Sequence, residues 1–265
     1  MTYTHGHHES VLRSHTWRTA ENSAAYLLPV LRPGMSVLDV GCGPGTITAD
    51  LALLVAPGEV VGMDASAEVV TQAQFAAGSG PGVENLRFEV GDLFALDYPD
   101  ASFDVVHLHQ VLQHLDDPVG ALVALRRVLA PDGVLAARDS DYSAFTWAPA
   151  DPMLDRWMSL YLAVTDRNGH DANIGPRLMG VALEAGFGSV AVSSSTWTYA
   201  DPESRAWWGG LWADRVRFSR FGEQAVAYGF SSGEELEAIA AAWLRWAQAP
   251  DAVFVVPHVE ILARD

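Results

Sequence analysis

The stretch VLDVGCGPG, residues 37–45, decides the fold because it joins a short apolar run to a glycine-rich turn. Residues 37–40 are typical of a buried strand, and apolar side chains recur at helical spacing over residues 47–55. Glycines between a strand and a helix let the backbone turn sharply and come close to a ligand that a side chain would push away. The stretch therefore predicts a nucleotide-binding elbow.

The spacing of the glycines distinguishes between two classes of ligand. A dinucleotide-binding fingerprint needs a glycine three positions after Gly43, but Thr46 stands there and the third glycine is Gly45. Asp39, near the end of the predicted strand, would repel a pyrophosphate, whereas it suits a cationic sulfonium amino acid. The alternative interpretation is a glycine turn that only packs a helix against a strand.

At these residues the chain resembles the class I S-adenosylmethionine-dependent methyltransferases, whose first motif is an acidic residue followed by G-x-G-x-G. From Pro33, strand and helix patterns alternate, which predicts a parallel sheet with helices on both faces. The resemblance covers residues 33 to about 138 and implies an α/β fold, with a doubly wound, mostly parallel, Rossmann-like sheet of seven strands whose last strand is antiparallel. We expect a single domain with an N-terminal helical cap at residues 1–31, a cofactor-binding core at 33–140, and the rest of the sheet with a helical lid at 141–265.

The resemblance implies S-adenosylmethionine as the cofactor and S-adenosylhomocysteine as its product. Asp64 ends the second predicted strand 23 positions after Gly41, where a carboxylate can accept both ribose hydroxyls. Its alternative role is to cap the next helix, although Ser66 serves that role as well. The resemblance implies that Asp92 accepts a hydrogen bond from the adenine amino group, with a solvated turn aspartate as the alternative. The predicted cofactor-binding residues are Asp39, Gly41, Cys42, Gly43, Asp64, Ala65, Gly91, Asp92, Leu93 and His109.

Two residues are candidates for a catalytic base, which methyl transfer needs only if the acceptor must lose a proton. His109 lies at the tip of the fourth predicted strand, and histidine titrates near neutral pH. Its alternative roles are packing and contact with the methionine end of the cofactor. Asp139 follows the fifth predicted strand, and the nearby Asp141 would raise the pKa of one of the two acids, giving a base, or would bind a substrate amine. Two acids solvated at the mouth of a loop are the alternative.

Aromatic residues indicate a class of acceptor. Six of the nine tryptophans lie between residues 197 and 246, and most such stripes form core. Trp208 and Trp212, however, fall between the last two predicted strands, where an acceptor lid is expected, and aromatic walls favour flat rings and cations. We therefore predict a small indole- or phenol-like natural product as the acceptor, with a quinone precursor as the alternative. The predicted substrate-binding residues are Tyr3, His8, Trp17, Asp141, Tyr142, Arg177, Trp208 and Trp212.

Charge and cysteine content bound the partners and the compartment. The formal net charge of -17 repels phosphate backbones and anionic lipid, so neither a nucleic acid nor a membrane is expected as a partner. Cys42 is the only cysteine, which excludes an internal disulfide and favours a cytoplasmic protein. No apolar run reaches about 18 residues, and the first residues do not resemble a signal peptide. A homodimer is the oligomer that the sequence leaves open.

Other functions are disfavoured or stay open. The histidine-rich residues 5–15 are not expected to hold a metal, because their spacing matches no known ligand pattern. A nicotinamide oxidoreductase is disfavoured by Thr46. A non-catalytic S-adenosylmethionine-binding protein stays open, because methyl transfer requires no diagnostic catalytic residue. Within the family, the chain looks most like the ubiquinone/menaquinone-type and natural-product methyltransferases.

Overall fold

The computed structural model describes residues 17–78 and 83–265, which fall into two compact units. The larger unit contains the described residues up to 139 together with 174–194 and 258–265. The smaller unit contains residues 140–173 and 195–257. The expected single domain stays a prediction, and the predictions made for Tyr3 and His8 fall outside the described residues.

A mostly parallel sheet forms the centre of the larger unit. Its strands are β1 (Val37–Val40), β2 (Val60–Asp64), β3 (Leu86–Val90), β4 (Phe103–His109) and β5 (Leu129–Ser140), together with residues 189–194 of β7 (Ser189–Tyr199) and 258–264 of β8 (Val253–Arg264). The order is β3-β2-β1-β4-β5-β8, with β7 also paired to β8, and the pairs among the first five strands are parallel. β1 is buried along its whole length, as expected for a strand covered on both faces. The predicted doubly wound fold is confirmed.

Alternating side chains divide the core of the larger unit between the two faces of this sheet. Leu38 and Val106 belong to one apolar cluster, which includes α4 (Pro118–Val128) and α6 (Leu178–Glu184). Val37 and Val105 point the other way, because successive strand residues face opposite sides. They pack in a second cluster with residues of α1 (Ala20–Ser23) and α2 (Thr46–Val55), and α3 (Ala67–Gly78) contributes Val70 and Ala73 to a third.

The smaller unit is mainly helical and contains α5 (Pro152–Arg167), α7 (Pro202–Phe218), α8 (Arg220–Ala227) and α9 (Gly233–Gln248). Three of these helices begin at side-chain caps, where Asp151, Asp201 and Ser232 accept hydrogen bonds from backbone N–H groups of the first turn. A short strand, β6 (Thr146–Ala148), pairs antiparallel with the first residues of β8. Within the described residues the sheet thus has eight strands, whereas seven were predicted. The sequence did not indicate β6, because a strand of three residues is too short to show a periodic pattern.

Tryptophans fill the core of the smaller unit. The ring of Trp157 lies 4.5 Å from Trp212 and 4.8 Å from Trp243, both edge to face, and Trp208 stacks on Tyr199 at 4.3 Å. Trp208 is 5% exposed and Trp212 is 1% exposed. The rings of both residues are thus buried against other aromatic side chains, and the prediction that they line an acceptor pocket stays a prediction.

Candidate active site

Three glycines with positive φ shape the elbow between β1 and α2. Gly41, Gly43 and Gly45 have φ angles of 67°, 56° and 80°, which glycine adopts without steric cost. The N–H groups of Gly41 and Cys42 both donate to the carbonyl oxygen of Met63, at 2.7 and 3.1 Å. The elbow is therefore tied to the end of the neighbouring strand β2.

Three glycines in or near the elbow are also required by packing. A Cβ atom on Gly45 or on Gly62 would come within 3.0 Å of the Phe88 ring. A Cβ atom on Gly41 would come equally close to Val111, which follows the tip of β4. The side chains of Phe88 and Val111 thus occupy the space that a larger residue would need at these positions, while Gly41 itself stays exposed.

Asp64 stands at the tip of β2 with its carboxylate held from two sides. Oδ2 accepts a hydrogen bond from the N–H of Gly43 at 3.1 Å, and Oδ1 accepts one from the N–H of Ser66 at 2.9 Å. Each carboxylate oxygen has a second lone pair, so both can still accept from a ligand hydroxyl. The N–H of Val69 in α3 donates to the Ser66 hydroxyl at 3.4 Å, so Ser66 rather than Asp64 caps this helix.

The tip of β3 lies beside Asp64 and brings in the next predicted residues. Gly91 donates its N–H to the carbonyl oxygen of Asp64 at 3.1 Å. Asp92 is exposed, and its Oδ1 accepts from the N–H of Phe94 at 3.0 Å. Leu93 is buried and Ala65 is exposed. The structure thus places the elbow and the two predicted acidic ligands, Asp64 and Asp92, together at the carboxyl ends of β1, β2 and β3.

Asp39 lies near the end of β1, as predicted, with its carboxylate buried. It is 3% exposed, its Oδ1 accepts from His107 Nδ1 at 2.7 Å, and its Oδ2 accepts from the Thr48 hydroxyl at 2.6 Å. Both oxygens are therefore used within the fold, where they connect β1 to α2 and to β4. Asp39 thereby helps to position the elbow, and the prediction that it contacts the cofactor stays a prediction.

His109 lies at the tip of β4, one residue beyond Leu108, which pairs with Val40 of β1. It is 6% exposed, and burial together with the positive charges of Arg18 and Arg138 lowers its pKa well below the usual range. His109 is therefore neutral at neutral pH, and it is a weak proton acceptor.

Asp139 lies at the end of β5 and is fully buried. Oδ2 accepts from the N–H of Leu112 at 3.2 Å, whereas Oδ1 has no hydrogen-bond partner among the described residues. Burial raises the pKa of Asp139 to about 7, against the lowering effect of the N–H groups of Leu112 and Gln113. A carboxylate that titrates near neutral pH suits a general base.

Asp141 does not account for this shift. Its Oδ1 accepts from the N–H and the hydroxyl of Ser143, at 3.1 and 2.5 Å, so it caps a short 3-10 helix. The predicted pairing of acids as the cause of the raised pKa is therefore corrected to burial of Asp139 alone.

The remaining predicted substrate residues do not form one described cluster. Trp17 is 39% exposed and Arg177 is exposed at the end of the 3-10 helix Gly175–Arg177. Tyr142 is buried in the smaller unit, where it stacks on Phe145 at 4.3 Å and on Tyr161 at 4.4 Å. Their roles in binding an acceptor stay predictions.

Two residues that hold the tip of β4, Arg18 and His258, were not predicted from the sequence. Arg18 donates to Gln110 Oε1 at 2.6 Å, and Gln110 Nε2 lies 2.9 Å from Nε2 of His258 on β8. No local pattern connects positions 110 and 258, which are 148 residues apart. Among residues 17–78 and 83–265, no three His, Cys, Asp or Glu side chains are grouped so as to hold a metal ion.

Comparisons with known proteins agree with this geometry. A family model described as a methyltransferase domain matches residues 31–173. An uncharacterised methyltransferase of Schizosaccharomyces pombe is 32% identical over 99% of this chain and 96% of its own length. A probable methyltransferase of Aspergillus luteorubrus, ltbC, is 30% identical over 98% of this chain and 96% of its own length. Among solved structures, Bacillus subtilis YcgJ superimposes with a TM-score of 0.60 at 21% identity, over 92% of this chain and 98% of that one, which shows a shared fold.

Proposed function

The chain belongs to the class I S-adenosylmethionine-dependent methyltransferases, and we propose that it methylates a small aromatic natural product. The observation that carries the cofactor site is the carboxylate of Asp64, which Gly43 and Ser66 hold at the edge of the glycine elbow. The aromatic class of acceptor follows from the aromatic content of the chain. With Trp208 and Trp212 in the core, Trp17 is the exposed tryptophan of the proposed acceptor set within the described residues.

The residues at the sheet edge fit the cofactor. The elbow offers backbone without side chains, Asp64 would accept from the ribose hydroxyls, and Asp92 would accept from the adenine amino group. The cofactor supplies an activated methyl group on a sulfonium, which passes to a nucleophile by in-line displacement. The contribution of the protein is orientation, which at best corresponds to roughly 7–11 kcal/mol of the barrier.

Asp139 is the residue that we propose as the base when the acceptor carries a proton. Its pKa of about 7 lets it take a proton from a hydroxyl, an amine or an acidic C–H group at neutral pH. His109 lies on the next strand and is held neutral by burial, so we propose that it binds or orients rather than removes the proton.

We further propose that the chain is cytoplasmic and forms a homodimer, and that it acts on neither nucleic acid nor membrane. The net charge of -17 supports the last two points. In the part of the chain that the structure describes, no helix has both the length and the apolar composition that a membrane span needs.

Calorimetry with three ligands tests the proposed function. We expect the chain to bind S-adenosylmethionine and S-adenosylhomocysteine and not NAD. Methyl transfer from isotopically labelled cofactor is then measured over a panel of indoles, phenols and quinone precursors. Binding of NAD alone would overturn the proposal. Binding of the first two ligands without transfer to any panel member would favour a non-catalytic protein, and transfer only to quinone precursors would favour that alternative.

Substitution of Asp64 tests the cofactor site itself. We expect Asp64→Ala to weaken S-adenosylmethionine binding at least about tenfold, roughly 1.4 kcal/mol, because charge-assisted hydrogen bonds are lost. Asp97→Ala removes an exposed aspartate and is the matched control, which should bind as the wild type does. Thermal unfolding of both variants separates loss of the ligand contact from loss of the elbow. Unchanged affinity in a folded Asp64→Ala protein would refute the ribose assignment.

A further inference from the structure

Gln110 has an unusual backbone conformation for its residue type. Its φ angle is 55°, in the left-handed region where side chains other than glycine are uncommon. Such a conformation costs conformational free energy and persists only where the surroundings hold it in place. Gln110 directly follows His109 at the tip of β4, so contacts around this tip must hold it in place.

Three separate parts of the larger unit bind Gln110. Its N–H donates to the carbonyl oxygen of Arg138 on β5 at 2.8 Å. Its side-chain Oε1 accepts from Arg18 at 2.6 Å, and its Nε2 lies 2.9 Å from His258 Nε2. His258 is fully buried on β8. The residue is therefore fixed by its backbone and by both ends of its amide.

The chemistry of the partners sets the direction of these bonds. A guanidinium can only donate, so the amide oxygen of Gln110 must face Arg18. The amide NH2 group must then face His258 and donate to its Nε2. An imidazole nitrogen that accepts carries no proton, so His258 is neutral with its proton on Nδ1.

The contacts of Gln110 with Arg18, Arg138 and His258 form what we call the clamp. Val111 links the clamp to the glycine elbow. It follows Gln110 in the chain, and its side chain packs where a Cβ atom on Gly41 would stand. A change in the backbone of Gln110 would therefore move Val111 against the elbow. Gly41 is the first glycine of the elbow. The clamp therefore affects the backbone that would bind the cofactor.

We propose that Gln110 is a positioning residue, clamped between Arg18 and the neutral imidazole of His258, that holds the tip of β4 in the shape needed for cofactor binding. This inference rests on the proposed function, because it concerns the same cofactor. Protonation of His258 would turn its Nε2 into a donor that faces the NH2 group of Gln110. The amide cannot turn over, because its oxygen is needed by Arg18. Protonation would therefore break the clamp.

Several charged and titratable groups surround His258. The ring of His109 stacks at 6.2 Å, Arg18 reaches it through Gln110, and Glu260 lies two residues along the same strand and pairs with Arg138 of β5. Asp139 follows Arg138 and also titrates near neutral pH. A test by pH must therefore separate His258 from Asp139, which substitution of His258 does.

The test is the affinity for S-adenosylmethionine, measured by calorimetry from about pH 8 to about pH 5.5, a range in which histidine side chains can take up a proton. We expect the affinity of the wild type to fall about three- to tenfold toward acid pH, the loss of one hydrogen bond. Gln110→Glu should keep its affinity at acid pH, because a carboxylate accepts from both Arg18 and a protonated imidazole. His258→Gln can accept a hydrogen bond without titrating, so its affinity for S-adenosylmethionine should not fall toward acid pH. His258→Leu should bind S-adenosylmethionine weakly at every pH.

The outcomes are separable. Wild type that does not bind S-adenosylmethionine at any pH overturns the proposed function. Wild type that binds, with His258→Gln and Gln110→Glu following the same pH profile as the wild type, overturns only the clamp. Far-ultraviolet circular dichroism and thermal unfolding verify that each variant is folded. A purely structural role for His258 would lower stability without removing the pH dependence, so it also contradicts the proposal.

Discussion

Asp39 shows at the scale of a single residue how a motif acid can serve the fold. Its carboxylate is buried and accepts hydrogen bonds from Thr48 and His107, so both of its oxygens have partners inside the larger unit. The hydroxyl of Thr48 therefore matters for stability, although Thr48 is not part of the glycine turn.

We expect Thr48→Val to lower the free energy of unfolding by about 1–3 kcal/mol, because it leaves a buried carboxylate oxygen without its donor. Thr48→Ser keeps the hydroxyl and is the matched control. Chemical denaturation measures both variants. Equal stability of the two would mean that the hydroxyl of Thr48 contributes nothing to the elbow.

Asp139 makes the stability of the chain depend on pH. Its pKa is about 7 in the folded chain against 3.8 for the unperturbed group, so the folded state binds the proton more tightly. Below about pH 4 both states are protonated and the stabilisation is complete. As the pH rises toward about 7 the unfolded chain releases its proton first, and up to about 4 kcal/mol is lost.

Asp139→Asn should remove this dependence of stability on pH. As the pH rises from about 4 to about 7, we expect the unfolding free energy of the wild type to fall relative to that of Asp139→Asn. Denaturation at several pH values measures it, and the exposed Asp97→Asn controls for the loss of a carboxylate. Parallel profiles for Asp139→Asn and the wild type would contradict the raised pKa.

The sequence predicted those site residues that follow a local rule. Asp64 could be identified because an acid at a set distance from a glycine turn lies at the next strand tip. Arg18, His107 and His258 could not, since their partners are 68 to 148 residues away in the chain. Long-range contacts of this kind depend on the packed fold and leave no spacing signal.

At the scale of elements, the contact between β2 and β3 depends on the absence of a side chain. The Phe88 ring of β3 occupies the space beside Gly62 of β2 and Gly45 before α2. Three elements thus meet on one aromatic ring. The alternation of strand and helix was predicted from sequence, but this shared contact was not, because it joins residues from separate patterns.

Gly62→Ala tests this contact, because Gly62 has no positive φ to complicate the result. We expect a loss of about 1–3 kcal/mol in unfolding free energy from overpacking against Phe88. In a Phe88→Leu background the same substitution should cost less, as a double-mutant cycle would measure. Gly180→Ala, with no atom near its new Cβ, is the control and should not destabilise. Equal costs of Gly62→Ala in both backgrounds would contradict the assignment.

At the scale of the whole molecule, β7 is a sheet edge without protection. Its sequence, SVAVSSSTWTY, contains no charged residue and no proline, and residues 191–194 are exposed. Natural edge strands usually carry such residues to prevent pairing with another chain. On a chain of net charge -17, an uncharged edge is the place where two copies can approach.

We therefore expect the chain to form a homodimer through antiparallel pairing of β7, with twice the mass of the 28.5 kDa chain. Sedimentation over a range of concentrations measures the mass. Val192→Lys should yield a monomer, whereas Val123→Lys, at an equally exposed valine of α4, should remain dimeric. A wild type that is monomeric at all concentrations would rule out this interface.

The place of the only thiol has a practical consequence. Cys42 is the second residue of the glycine elbow and is 9% exposed, and burial, followed by the charges of Asp39 and Asp64, raises its pKa above the usual range. Little thiolate is present in the closed turn, so alkylating reagents react when the turn opens. The rate of alkylation therefore reports the opening of the elbow. A fluorophore or spin label can be attached to Cys42 without changing the sequence. Its signal would then report on the glycine turn proposed to bind the cofactor.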